Sequence, residues 1–265
     1  MLSHPAGRLM ENLSRRAFAS KLLASLATFC VLKTACEGDL FARPVKPITD
    51  AWLKELHELC GDLRTDRVSQ TQWQRQVVRL LSRVELPELL GFIDFERLAA
   101  RVAMPDYGLA VEKIDFPKPA WMPEGRRGWG MQMFALDRGC AVMPHGHHNM
   151  VSAHMVLKGT MRVRHYDRVE EEAGHVVMRP TIDRESSPGE ATTISDDKDN
   201  IHWLKNTSGG RAFTLDVVAS GLNPALGYAY QQFYVDPLGG ERLGGGLIRT
   251  RKLDYEEATR LYRKS

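Results

Sequence analysis

Between residues 128 and 235 the sequence breaks into short strand-like runs: 128–137, 140–145, 151–157, 160–168, 174–179, 191–195, 200–206, 211–219 and 228–235. Turn residues part them, notably Gly139, Lys158-Gly159, Pro188-Gly189 and Ser208-Gly209-Gly210. Many short strands at near-regular spacing cannot each bury a face alone, so the pattern predicts a β-sandwich or barrel. At 265 residues the chain has room for one medium domain with an appendage, or for two small domains.

Ahead of the strands the apolar period changes to three and four. Trp52, Leu53, Leu56, Leu59 and Cys60 predict one amphipathic helix, with Thr49 or Asp50 to cap it. Trp73, Val77, Val78, Leu80, Leu81 and Val84 predict a second, with Thr71 as its cap. Pro87 starts a third short helix, and Phe95 to about Val102 continues helical. These stripes read as packing surface. Pro117, Pro119 and Pro123 mark an irregular crossing into the strand region. The expected organisation is a helical segment at 43–105, a β domain at 116–250 and a C-terminal helix within 251–265.

The first 42 residues read as a targeting segment. Ser14-Arg15-Arg16-Ala17-Phe18-Ala19-Ser20-Lys21 resembles a twin-arginine export motif, and the apolar run Leu22–Leu32 follows it. That run is too short for an ordinary membrane-spanning helix. The expectation is export to the periplasm, a mature chain with no transmembrane span, and cleavage after Ala35 or Ala42. Residues 43–48 read as a Pro-rich linker. Net charge is +3, and the excess basic residues sit in residues 1–35: Arg8, Arg15, Arg16, Lys21 and Lys33 against Glu11. The remainder is close to neutral, which gives no basic face for nucleic acid. Cys30, Cys36, Cys60 and Cys140 form no CxxC pair, so neither a zinc knuckle nor a redox pair is signalled. The spacing leaves open whether Cys60 and Cys140 pair.

Seven of the nine histidines lie between 145 and 202. Side chains at i and i+2 on a strand share a face, so His145 and His147 point together. His202, on a later strand, can complete a set of three nitrogens. Imidazole suits Fe, Zn, Cu and Ni, and three ligands leave positions open for small molecules. Asp216 is a candidate second partner behind a ligand, and an ordinary structural Asp is the alternative. His154 either faces the pocket or is a satisfied core histidine. In the polar string His165-Tyr166-Asp167-Arg168, Tyr166 or Arg164 can reach the pocket, or the string forms a surface ladder. His148 should alternate to the other face, and Asn206 should tie down backbone after the His202 strand.

These residues carry a family resemblance. His145-Gly146-His147, Gly159 fourteen residues after the first His, and the later His202…Asn206 resemble the two motifs of the cupin superfamily. Pro188-Gly189-Glu190 looks like the turn cupins place before the second motif. The resemblance covers about residues 128–235 and implies a mainly β fold, the cupin double-stranded β-barrel (jelly roll), with an N-terminal helical extension. Most cupins carry a Glu ligand after HxH, but His148-Asn149-Met150-Val151-Ser152-Ala153 has no carboxylate. That is similar to the thiol dioxygenases, which bind Fe(2+) with three His. Val156-Leu157-Lys158-Gly159 looks like the matching segment of plant cysteine oxidases and cysteamine dioxygenase. His202-Trp203-Leu204-Lys205-Asn206 looks like the third-ligand segment of cysteine dioxygenase, and Leu215-Asp216-Val217 like an Asp-bearing strand of the first two.

The resemblance implies metal ligands His145, His147 and His202, catalytic candidates His154, Tyr166 and Asp216, and Fe(2+) or another divalent transition metal. The expected partners are a small-molecule substrate and O2. A thiol would become a sulfinic acid, both oxygen atoms passing to sulfur. Cupins often dimerise, so a homodimer is also expected. The chain departs from animal cysteine dioxygenases at Ser152, Asp216 and Val218, so a crosslinked cofactor is not implied. No Arg matches the one that holds a cysteine carboxylate. Two other readings stand beside the dioxygenase: a cupin isomerase or hydrolase using its metal as a Lewis acid, and a non-enzymatic small-ligand-binding protein.

Overall fold

The structure, a computed structural model, describes residues 47–116, 118–122 and 128–264. The targeting segment, Cys30, Cys36 and the linker up to residue 46 lie outside the described residues.

Four helices come first: α1 (Pro47–Arg64), α2 (Gln70–Leu81), α3 (Leu86–Phe92) and α4 (Phe95–Arg101). The first begins inside the expected linker, at Pro47, whose fixed φ suits a first helical turn. Ser69, not Thr71, caps α2: its hydroxyl accepts from the Gln72 N–H while Gln72 Oε1 accepts from the Ser69 N–H, a reciprocal capping box. Glu85 precedes α3, with Pro87 in its first turn. Asp94, in the left-handed region at φ 53°, breaks α3 from α4.

The strands are β1 (Leu109–Lys113), β2 (Trp129–Leu136), β3 (Ala141–His148), β4 (Met150–Lys158), β5 (Met161–Glu171), β6 (His175–Ser186), β7 (Ala191–Ile194), β8 (Ile201–Asn206), β9 (Ala212–Ser220), β10 (Gln231–Val235), β11 (Glu241–Arg242) and β12 (Ile248–Leu253). Helix α5 (Tyr255–Tyr262) follows, capped by Asp254, whose side chain accepts from the Glu257 N–H. The strands form a five-stranded sheet, β1-β2-β9-β4-β7, and a seven-stranded sheet, β10-β3-β8-β5-β6-β12-β11, with antiparallel pairing throughout. This is the expected mainly β fold, a double-stranded antiparallel barrel with helices at its N-terminal side.

Four strands differ from the expected runs: β1, β11 and β12 lie outside them, β12 passing the expected domain end at 250, and β6 outlasts its own. β1 was not anticipated. It is a half-buried edge strand whose residues carry no strong alternation. β6 runs on to Ser186, past Pro180, which read as a strand end. Proline is accommodated there because the β5–β6 register shifts between His165 and Tyr166, opposite Pro180.

The helices are part of the same compact unit as the barrel, Arg43–Ser265. Their buried stripe (Trp52, Leu53, Leu56, Leu63, Trp73, Val77, Leu81) packs on the outer face of the five-stranded sheet, against Met131, Met133, Val151, Ala153, Met155, Leu157, Leu215 and Val217. Each buried Leu, Met or Phe there contributes about 1.5–3 kcal/mol of transfer free energy. The inner face of the same strands fills the barrel: Leu136, Val156 and Ala212 meet Met161, Val163 and Leu204 from the other sheet. So β4 is buried on both faces up to Leu157, alternating between helices and barrel interior.

Cys60 and Cys140 are separate buried free thiols with no disulfide between them. Burial pushes the Cys60 thiol up to about 12. No described helix is long and apolar enough to cross a membrane.

Candidate metal centre

Strand parity decides what enters the barrel. On β3, His145 and His147 point inward and Gly146 outward. A Cβ at Gly146 would overlap the Phe233 ring of the neighbouring β10, so the residue between the two histidines has no room for a side chain. Gly159, at φ +85°, turns β4 into β5, and a Cβ there would stand 2.6 Å from the Ala212 Cβ. β8 then pairs with β3 so that His202 sits directly opposite His145.

The three rings converge. The Nε2 atoms of His145 and His202 are 2.9 Å apart, and those of His147 and His202 are 3.4 Å apart. Imidazole nitrogens at about 2.0–2.1 Å from one transition-metal ion stand roughly 3.0–3.4 Å from each other, so the set fits a single ion. All three residues are buried, and their ligand atoms lie within 4.8 Å of one another. Among the described residues no carboxylate or thiolate joins the set.

Their surroundings favour the ligand form. The Met143 carbonyl lies 2.7 Å from His145 Nδ1 and accepts its N–H, leaving Nε2 as the lone-pair nitrogen. Burial drives His145 down to about 4; the Met143 carbonyl opposes the shift and the neighbouring His154 adds to it. Burial likewise holds His147 and His202 well below the ordinary histidine value, with the adjacent imidazoles contributing. All three are therefore neutral near pH 7, the form that binds a metal. His147 Nδ1 and His202 Nδ1 make no protein hydrogen bond.

The opposite wall supplies a fourth ring. His154, on β4, pairs in register with Asp216 on β9, and its Nδ1 stands 2.5 Å from the carboxylate. The Thr214 hydroxyl donates to the other carboxylate oxygen at 2.7 Å. The His154 ring stacks on His202 at 4.8 Å between centroids, and its Nε2 is buried without a hydrogen-bond partner. Ser152, two residues earlier on the same inner face, also carries an unpartnered hydroxyl.

Tyr166 does not join the group. The structure places it on the outer face of β5, packed with Val176, Met178, Ile201, Val235 and Ile248. His165 turns inward instead, opposite His202 in register and 6.0 Å from it between ring centroids. It is fully buried, and burial pushes it down to about 3. The signal was present in the sequence: Met161, Val163 and His165 alternate with Arg162 and Arg164, so His165 has the parity of the core. Arg164 stacks over Trp203 on the outside, where a groove of about 400 Å³ is lined by Arg162, Arg164, Trp203, Lys205, Thr207 and Leu238 and by none of the five histidines.

Other polar residues prove structural. His148 faces out, against Phe233, Arg168 and Glu171. Asn206 donates to the Leu136 and Gly210 carbonyls and accepts from the Ser208 N–H. Asp199 accepts from the Thr181 hydroxyl.

No family model and no curated protein matches the sequence. Solved structures with some likeness include Peruvianin-I, a cysteine peptidase from Thevetia peruviana latex, at 17% identity over 49% of this chain and 69% of that one, TM-score 0.35. An oxalate oxidase in complex with the substrate analogue glycolate matches at 21% identity over 45% of this chain, TM-score 0.34. The matched part spans 54% of that enzyme. A cupin superfamily protein from Desulfitobacterium hafniense DCB-2 matches at 11% identity over 46% of this chain and 86% of that one, TM-score 0.30. Likenesses of this extent say nothing of activity, and the fold class stands on the chain's own sheet topology.

Proposed function

We propose that this protein is a non-haem Fe(II) dioxygenase that oxidises a small substrate with O2, a thiol converted to a sulfinic acid being the first candidate. The observation that carries the reading is the buried, carboxylate-free convergence of His145, His147 and His202. Imidazole donors suit Fe as well as Zn, Cu and Ni, and the resemblance of the HxH segment to the thiol dioxygenases is what favours iron among them. A bound Fe(II) would supply the redox chemistry and bring substrate and O2 together.

The chain's own residues have three tasks. His145, His147 and His202 would hold the ion, and the Met143 carbonyl fixes the His145 tautomer. The barrel core of Leu136, Val156, Val163 and Leu204 excludes water from below. His154, fixed by Asp216, offers Nε2 from the opposite wall as a hydrogen-bonding contact to a bound substrate. Tyr166 has no part in this arrangement.

The His154–Asp216 pair also favours a second reading, a metal-dependent hydrolase or isomerase in which His154 moves the proton. An oxygen electrode separates the two. With anaerobically Fe(II)-loaded protein and a panel of small thiols, the dioxygenase reading expects O2 uptake matched one-to-one by sulfinate. Substrate turnover at equal rate under argon would replace it with the second reading. The twin-arginine-like segment supports export of the folded protein. A reporter fused to residues 1–45 should reach the periplasm, and should cease to do so when Arg15 and Arg16 both become Lys.

A further inference from the structure

Of the four glutamines on helix α2, Gln70 and Gln74 stand one turn apart and both face the loop between β7 and β8. Gln74 is only 5% exposed, at an otherwise apolar helix–sheet interface. A buried amide is costly unless its hydrogen bonds are made. Gln74 accepts from the Ser195 hydroxyl at 3.0 Å and donates to the Lys198 carbonyl at 3.2 Å. Gln70 accepts from the Asp196 N–H at 2.8 Å and donates to the Asp196 carboxylate at 3.3 Å. Both glutamines thus grip the single loop between β7 and β8.

That loop in turn grips the ligand strand. Asp196 accepts the Asn149 N–H at 3.1 and 3.0 Å. Asn149 follows His147-His148 directly and sits in the left-handed region at φ 66°, where Asn is among the few residues tolerated. Asn200, at the other end of the loop, donates to the His147 carbonyl at 2.8 Å and to the Ser195 carbonyl at 2.9 Å. Two residues later the chain reaches His202. Asn149 extends the network once more: its amide donates to the Asn223 and Tyr228 carbonyls at 3.2 and 2.8 Å and accepts the Asn223 N–H at 2.6 Å. The segment so held leads to Tyr230, whose ring lies 6.1 Å from that of His147.

We propose that Gln70 and Gln74 are positioning residues for the three-histidine group, so that the helical segment sets the geometry of the metal centre rather than only covering the barrel. The loop fixes His147 from its carbonyl and from the turn after it, and it leads into His202; the helix fixes the loop. The inference rests on the metal reading above in that the group positioned is a ligand set.

The test uses the full-length chain, metal-free, as Gln70→Leu and Gln74→Leu, with Arg75→Ala on the exposed side of the same helix as control. Leucine keeps the helix propensity and removes only the hydrogen bonds. Two readouts are taken: amide exchange of peptides covering 147–150 and 195–200, and affinity for added Co(II) from its visible absorption. Faster exchange in both peptides and a Co(II) affinity about tenfold weaker in each glutamine variant, with the control unchanged, is the expected result. Gln70 is half-buried at the helix start, so its variant reports even where Gln74→Leu does not fold. Folded variants that match the parent in exchange and in Co(II) affinity would overturn the inference while leaving the metal reading intact. If the parent binds no Co(II) but exchange still rises in the variants, the positioning stands and the metal reading falls.

Discussion

The two walls of the barrel are built differently. The seven-stranded wall contributes His145, His147, His165 and His202, all pointing inward and none paired with a carboxylate. The five-stranded wall contributes one inward histidine, His154, and that one is paired with Asp216. Outside, the contrast reverses. The five-stranded wall is sealed by the N-terminal helices, whereas β5 shows Arg162 and Arg164 on its outer side, where they line a basic groove open to solvent. The first wall thus brings three neutral imidazoles together in a group that could hold a metal ion, and the second pairs its histidine with a carboxylate. On the reading proposed above, the two tasks of ligation and substrate contact fall to different sheets; the N-terminal helices stiffen the wall without the three-histidine group and touch the other through the β7–β8 loop, whereas α5 packs directly on β3 and β8.

The largest expected effect breaks the comparison from the ligand wall. In metal-free protein, burial lowers His145 from about 6.5 to about 4 and His165 to about 3, with His147 and His202 also well down. Between those values and 6.5 the unfolded chain binds more protons than the folded one, so the stability contributed by neutral imidazoles is present above 6.5 and lost as pH falls below it. Urea midpoints of metal-free protein should therefore drop steadily from neutral pH towards about 4. A profile flat across that window would mean that the four rings are not buried as described.

Next come the two outer faces. Leu56→Ala, under the helices and fully buried, should cost about 2–5 kcal/mol by urea denaturation. Gly146→Ala sharpens the account of the ligand strand. It should cost about 1–3 kcal/mol through overlap with Phe233, and Phe233→Ala in the same chain should recover part of the loss. Smallest is Arg162→Ala in the outer groove of β5. It loses an exposed ion pair to Asp183, and the change should stay within about 1 kcal/mol. Equal costs for Leu56→Ala and Arg162→Ala would remove the distinction between the walls.

Much of this was legible in the sequence because period-2 alternation is a strong local signal. The strands of 128–235, the inward pair His145 and His147, and the return of His202 follow from parity and spacing alone. Tyr166 lies outside because plain alternation from Met161 and Val163 gives His165 the parity of the core and leaves Tyr166 beside Ile201 on the other face. The Pro180 continuation was hidden because a bulge made room for a residue that ordinarily ends strands. The task of α2 was illegible. Its apolar stripe predicts packing, but nothing local to Gln70 or Gln74 tells that a loop more than a hundred residues away will meet them.

The central claim is that His145, His147 and His202 form one metal centre. Metal content of the full-length protein after anaerobic Fe(II) loading and desalting, beside His202→Ala treated identically, tests it most directly. The account predicts one iron per chain in the parent and none retained by a folded His202→Ala. A parent that retains no metal, or a variant that retains as much as the parent, would contradict it.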